Sequence, residues 1–107
     1  MIAWEIWSYQ PQGWPEVHPA VIVSAPGRVA NKLEFNVIMC SSKQATRAAL
    51  PHEVILNQAD GLSWPTLCKC DLFHLVSPQN LTQLRGAVTP ERRRQIIATI
   101  NRANGWV

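Results

Sequence analysis

Over the first two-thirds of the chain, apolar positions come in short runs broken by turn formers; a helical period appears only near the end. Ala3 to Tyr9 mixes tryptophan, isoleucine and tyrosine with Glu5 and Ser8 and stops at Pro11-Gln12-Gly13, which predicts a strand. Ala20-Val21-Ile22-Val23 is continuous and β-branched, the pattern of a strand covered on both faces. Pro15 and Pro19 precede it and Pro26-Gly27 follows it as a turn. Leu33 to Cys40 predicts a third strand, and the polar stretch 41–51 a loop with room for a short helical turn. His52 to Leu56 predicts a fourth strand, Asn57 to Gly61 a turn and Leu67 to Val76 a fifth strand.

From Thr89 the period changes. Thr89 suits an N-cap, Pro90 the first helical position and Glu91 the first turn, where the helix dipole favours an anion. Ile96, Ile97, Ile100 and Ala103 fall on one side, which should lie on the sheet, and Gly105 is a stop. Arg93 projects near that side and must snorkel or find a partner. Five antiparallel strands and a C-terminal helix make a small α+β or barrel-like domain, with residues 1–107 forming one unit.

Composition narrows the class. With 47% apolar residues the chain has enough to pack and is not a disordered tail. No apolar run is long enough to span a membrane, and Met1 to Glu5 has no basic leader. Three cysteines without a leader are expected to be reduced thiols in the cytoplasm. The net charge is +3, concentrated in two segments. Arg28, Lys32, Lys43 and Arg47 lie in 28–47, and Arg85, Arg92, Arg93, Arg94 and Arg102 in 85–102. If folding joins them, they form a phosphate-facing surface; otherwise they are solvated faces.

Candidate chemistry is sparse. On a strand, Cys68 and Cys70 share one face, with His74 on that face two pleats later, and Cys40 could complete a zinc site. The paired knuckles of structural zinc sites are absent, so buried, inert thiols and no metal or other cofactor are expected. No phosphate loop, nucleophile elbow or zinc-protease motif is present. Trp14 and Trp64, each beside a proline, are candidate stacking platforms. His18 is held extended by Pro19 and suits proton transfer, and Ser41 and Ser42 sit where the third strand opens into a basic loop.

The order of segments resembles the MazF/PemK toxin family. Trp4-Glu5-Ile6-Trp7 matches the first strand, and Gly13 the loop after it. His18-Pro19-Ala20-Val21-Ile22-Val23-Ser24 matches the R-P-x-x-V-x-S strand, and Ser41-Ser42 the T-S pair. Pro51 to Leu56, Gly61-Leu62, Cys70-Asp71 and Gly86 to Glu91 complete the series. The resemblance implies a strongly curved antiparallel sheet of CcdB/MazF type with a C-terminal helix, in a cytoplasmic homodimer. It implies the toxin of a toxin–antitoxin pair, a metal-independent, sequence-selective endoribonuclease that cuts single-stranded RNA by attack of the 2′-hydroxyl, leaving a cyclic phosphate and a 5′-hydroxyl, and is silenced by a cognate antitoxin. Carried across, His18 takes the place of the family's arginine as acid/base or phosphate ligand, and Ser42, or Ser41, stabilises the oxyanion. Arg28, Lys43, Arg47 and Trp14 are the RNA-binding candidates. Leu72 stands where the family commonly has glutamine. These two departures define the alternatives: a non-catalytic module binding RNA or an antitoxin-like peptide, or a CcdB-like toxin acting on a protein target.

Overall fold

Continuous apolar runs end where both sides of a sheet are covered. The computed structural model describes residues 1–31 and 33–106, so Lys32 of the first basic segment lies outside the described residues. Its strands are β1 (Glu5–Tyr9), β2 (His18–Ile22), β3 (Phe35–Cys40), β4 (Glu53–Leu56), β5 (Thr66–Val76) and β6 (Leu81–Ala87). Helix α1 (Pro26–Ala30) follows β2, and α2 (Pro90–Asn104) follows β6. The strands form one antiparallel sheet in the order β4-β5-β3-β2-β1-β6. Val21 of β2 joins Ile6 and Ile38 in one core cluster, which includes Ile96 of α2. Ala20 and Ile22 join Phe35, Val37 and Met39 in a second cluster, which includes Val29 of α1. The β-branched run is thus buried on both faces, as its pattern predicts.

Three expectations change. The sheet is open rather than barrel-like, with β4 and β6 as its edges. Its curvature brings the turn after β4 to β6, where Gly61 (φ +89°) packs against Gly86. A methyl group on Gly86 would overlap the Asp60 carbonyl oxygen, so only glycine admits this approach. Second, β6 and α1 appear where no strand and only a turn were expected; β6 is an edge strand with Leu81 its one buried residue. Third, α2 is rotated from its expected face. Ile96 and Thr99 are buried, whereas Ile97 and Ala103 are exposed. Thr99 tolerates burial because its hydroxyl donates to the Gln95 carbonyl at 2.7 Å.

The ends of α2 follow their sequence signals. The Thr89 hydroxyl accepts from Arg92 N at 3.3 Å, and Gly105 closes the helix at φ +69°. Arg93 finds its partner: its Nε donates to the Val88 carbonyl at 2.9 Å, and its guanidinium lies 6.0 Å from the Trp4 ring centroid. Asp60 is buried and accepts from Arg92 Nε, Thr89 N and Asn57 N, fastening the turn after β4 to the start of α2.

Candidate active site

The residues singled out in the sequence meet at one end of β2. Tyr9 ends β1 directly opposite His18, which begins β2, so a short connection joins the two. That connection turns at Gly13 (φ +84°), and Trp14 N donates to the Pro11 carbonyl at 3.0 Å. Trp14 is thereby set edge-to-face with His18, at 5.1 Å between ring centroids. Trp14 also meets His74 of β5 at 5.5 Å, and His74 meets Tyr9 at 5.8 Å. All four rings are half-buried, on the face of the sheet opposite α2.

His74 reaches this face because of an irregularity in β5. Between Ile38↔Phe73 and Cys40↔Cys68, β3 advances two residues while β5 advances five. The odd excess swaps the faces of β5. Cys68 and Cys70 therefore pack with Cys40 in the α2-side cluster, while His74 pairs with Val37 and faces the other way. The expected common face for both thiols and His74 is corrected by this bulge. All three cysteines are free and buried. Hydrogen bonding with Cys40 and Cys70, and then burial, pushes the Cys68 thiol above its ordinary range. Among the described residues, no group of three or more His, Cys, Asp or Glu is arranged to hold a metal ion.

Opposite His18, β3 runs out into the loop carrying Ser41 and Ser42. Extending the β2–β3 register, in which Ala20 faces Met39, sets His18 opposite Ser41. The Ser42 hydroxyl donates to Glu16 Oε2 at 2.8 Å, tying this loop to the segment just before His18. The Ser41 hydroxyl is engaged locally, accepting from Lys43 N at 3.2 Å. Lys43 is exposed on the same loop. His18, Ser42, Trp14 and Lys43 are thus brought to one end of β2, and Glu16, His74 and Tyr9 join them. Glu16 carries no local signal because its partner is far along the chain, and the bulge in β5 puts His74 on the face opposite the one its spacing from Cys70 predicts.

Two basic candidates are placed elsewhere. Arg28 lies on α1, beyond the opposite end of β2, where its Nε bonds to the Glu34 carbonyl. Arg47 makes a two-pronged bond to the buried Glu53, Nη1 to Oε1 at 2.7 Å and Nη2 to Oε2 at 3.0 Å. Lys69 Nζ donates to the same Oε2 at 2.9 Å, and Leu50 N to Oε1 at 2.9 Å. Those contacts, Arg47 first, hold the Glu53 carboxyl well below the usual carboxylate range. A charge amid the apolar residues of β4 was the available signal that Arg47 would be drawn to it.

Glu53 should therefore make stability depend on acid. Its pKa is lowered on folding, so its contribution is whole above the unfolded carboxyl's value of about 4.3 and fades as pH falls from there. Replacing it by glutamine strands two cations. Arg47 is 47% and Lys69 34% exposed, so solvent softens the loss to about 2 kcal/mol at neutral pH. Urea melts of Glu53→Gln and wild type should converge as pH drops below about 4. A gap that stays constant as pH falls from about 4 to about 2 would refute the assignment.

No family model and no curated protein matches the sequence. The fold does have close counterparts. It is similar to an endoribonuclease in complex with its cognate antitoxin from a mycobacterial species, at TM-score 0.84 and 20% identity over 100% of this chain and 97% of that one. It is similar to Mycobacterium tuberculosis toxin MazF-mt6, at TM-score 0.80 and 17% identity over 96% of this chain and 98% of that one. A further mycobacterial endoribonuclease matches at TM-score 0.80 and 19% identity, over 98% and 91% of the two chains. An open six-stranded antiparallel sheet backed by a C-terminal helix is, in this chain, the fold of MazF-type toxins.

Proposed function

We propose that this chain is the toxin of a toxin–antitoxin pair, an endoribonuclease that cuts single-stranded RNA at the His18–Ser42 end of β2. The observation that carries this reading is the hydrogen bond from Ser42 to Glu16, two residues from His18, at the end of β2 where His18 meets the half-buried Trp14 ring. The shared fold supports it, since two of the similar structures are endoribonucleases. One of these is bound to its cognate antitoxin, which supports an antitoxin as partner here. A cytoplasmic homodimer belongs to the same reading; no helix among the described residues is long and apolar enough to cross a membrane.

Cleavage by the RNA's own 2′-hydroxyl needs a proton acceptor, a proton donor and a donor to the phosphoryl oxygens. Glu16 takes the proton of the 2′-hydroxyl, whose oxygen bonds to phosphorus. The bond from phosphorus to the 5′-oxygen breaks, and imidazolium His18 gives that oxygen a proton. Ser42, released by Glu16, turns its hydroxyl to a non-bridging oxygen. The products are a 2′,3′-cyclic phosphate and a 5′-hydroxyl, and in this scheme side chains supply every role. Lys43 attracts the backbone and Trp14 offers an edge for a base.

Expression in a bacterial host should arrest growth, and purified protein with EDTA should cut a long single-stranded RNA at discrete places. Intact RNA at high protein concentration would favour a binding module of the same fold. Growth arrest with intact RNA and gyrase trapped on DNA would favour a toxin acting on protein.

A further inference from the structure

A pocket between the β3–β4 loop and the segment leading into β5 takes no part in the chemistry above. It is an open cleft of about 570 Å³ walled by Gln44, Asn57, Gln58, Ser63 and Trp64. That volume lies in the range of sites for small organic groups. Backbone bonds fix its position: Ala45 N donates to the Pro65 carbonyl at 2.7 Å, and Ser41 N to the Leu67 carbonyl at 2.8 Å. Residues 41–45 therefore lie alongside 65–67, and Gln44 is two residues from Ser42, about 7 Å at full extension.

The lining selects a ligand class. Among the described residues no charged side chain lines the pocket, so a phosphate or carboxylate would meet no counter-charge from them there. Trp64 is 41% exposed and offers a flat aromatic surface. Gln44 and Gln58 are exposed, and their carboxamides bond to no other described residue. Asn57 uses Oδ1 to cap Ala59 N at 2.9 Å, which leaves its amide nitrogen to donate. An aromatic surface beside carboxamides stacks a heterocycle and reads the donors and acceptors along its edge.

We propose that this pocket binds one base of single-stranded RNA next to the bond cut at Ser42, and so selects which sequences are cut. The selection of cut sites rests on the endoribonuclease reading; the binding of a base does not. The test uses heptameric 2′-O-methyl oligonucleotides of A, C, G or U, which lack the attacking hydroxyl. The Trp64 indole N–H signal, assigned through Trp64→Phe, should move with one of them at about tenfold lower concentration than with the weakest. Replacing Gln44 and Gln58 together by alanine should weaken that binding about ten- to a hundredfold. In cut-site mapping, the double variant should lose base preference at one position flanking the cut. A Trp64 signal unmoved by all four oligonucleotides overturns the pocket, whether or not RNA is cut. A wild-type protein that cuts no RNA yet shifts Trp64 with one base overturns the nuclease reading and supports the pocket.

Discussion

Ser42→Ala should cut single-stranded RNA about 10²–10³-fold more slowly than wild type, the usual cost of removing one donor to a developing oxyanion. The hydroxyl is half-buried and its partner, Glu16, is exposed, so its loss leaves no stranded buried group and the melting temperature should hold. Glu16→Gln and His18→Ala should each lose about 10²–10⁴-fold, the range for proton transfer by a positioned side chain. Ser41→Ala separates the two hydroxyls, because Ser41 is engaged within its own loop, and it should cut at close to the wild-type rate. Initial rates on one synthetic RNA, with circular dichroism as a folding control, check all four. A Ser42→Ala protein as active as wild type would contradict the assignment.

Gly86→Ala should destabilise the fold by about 2–4 kcal/mol, a fall of roughly 10–25 °C in melting temperature. The added methyl has nowhere to go: the Asp60 carbonyl oxygen occupies its place, and the Gly61 Cα lies 3.1 Å away. Relief requires moving the turn after β4, and that turn carries the Asp60 carboxylate that holds Thr89 N and Arg92. The substitution therefore loosens the join between the two sheet edges and the start of α2 together. Gly27→Ala is the matched control, since a methyl there meets nothing within 4 Å and a helix favours alanine over glycine. Thermal melts that show equal loss for both variants would refute the close-approach explanation.

What was legible in the sequence depends on how local its cause is. The run at 20–23 declared a doubly covered strand, and Thr89-Pro90-Glu91 declared a helix start, because burial pattern and capping act within a few residues. Edge strand β6 was illegible because an edge needs few apolar contacts, and 81–87 has one buried residue. The face of α2 was misjudged because a threonine can satisfy itself within a helix while Ile97 is left outside. At the site, His18 and Ser42 came from the order of motifs. Their link through Glu16 spans 26 residues and left no local trace. The bulge that turns His74 away from Cys68 and Cys70 is likewise set by the pairing of β3 with β5, not by the residues of β5 alone. Arg47 was read from charge alone, whereas the buried Glu53 decides where its guanidinium goes.

On the proposed reading, the RNA's own hydroxyl attacks at the His18–Ser42 site. The most direct test of that attack is a synthetic RNA carrying one mapped cut site, compared with the same strand lacking only the 2′-hydroxyl on the 5′ side of the cut, both with EDTA. The all-ribose strand should be cut to a cyclic phosphate and a 5′-hydroxyl, while the singly substituted strand should stay whole. Cleavage of both strands at the same bond would contradict this reading.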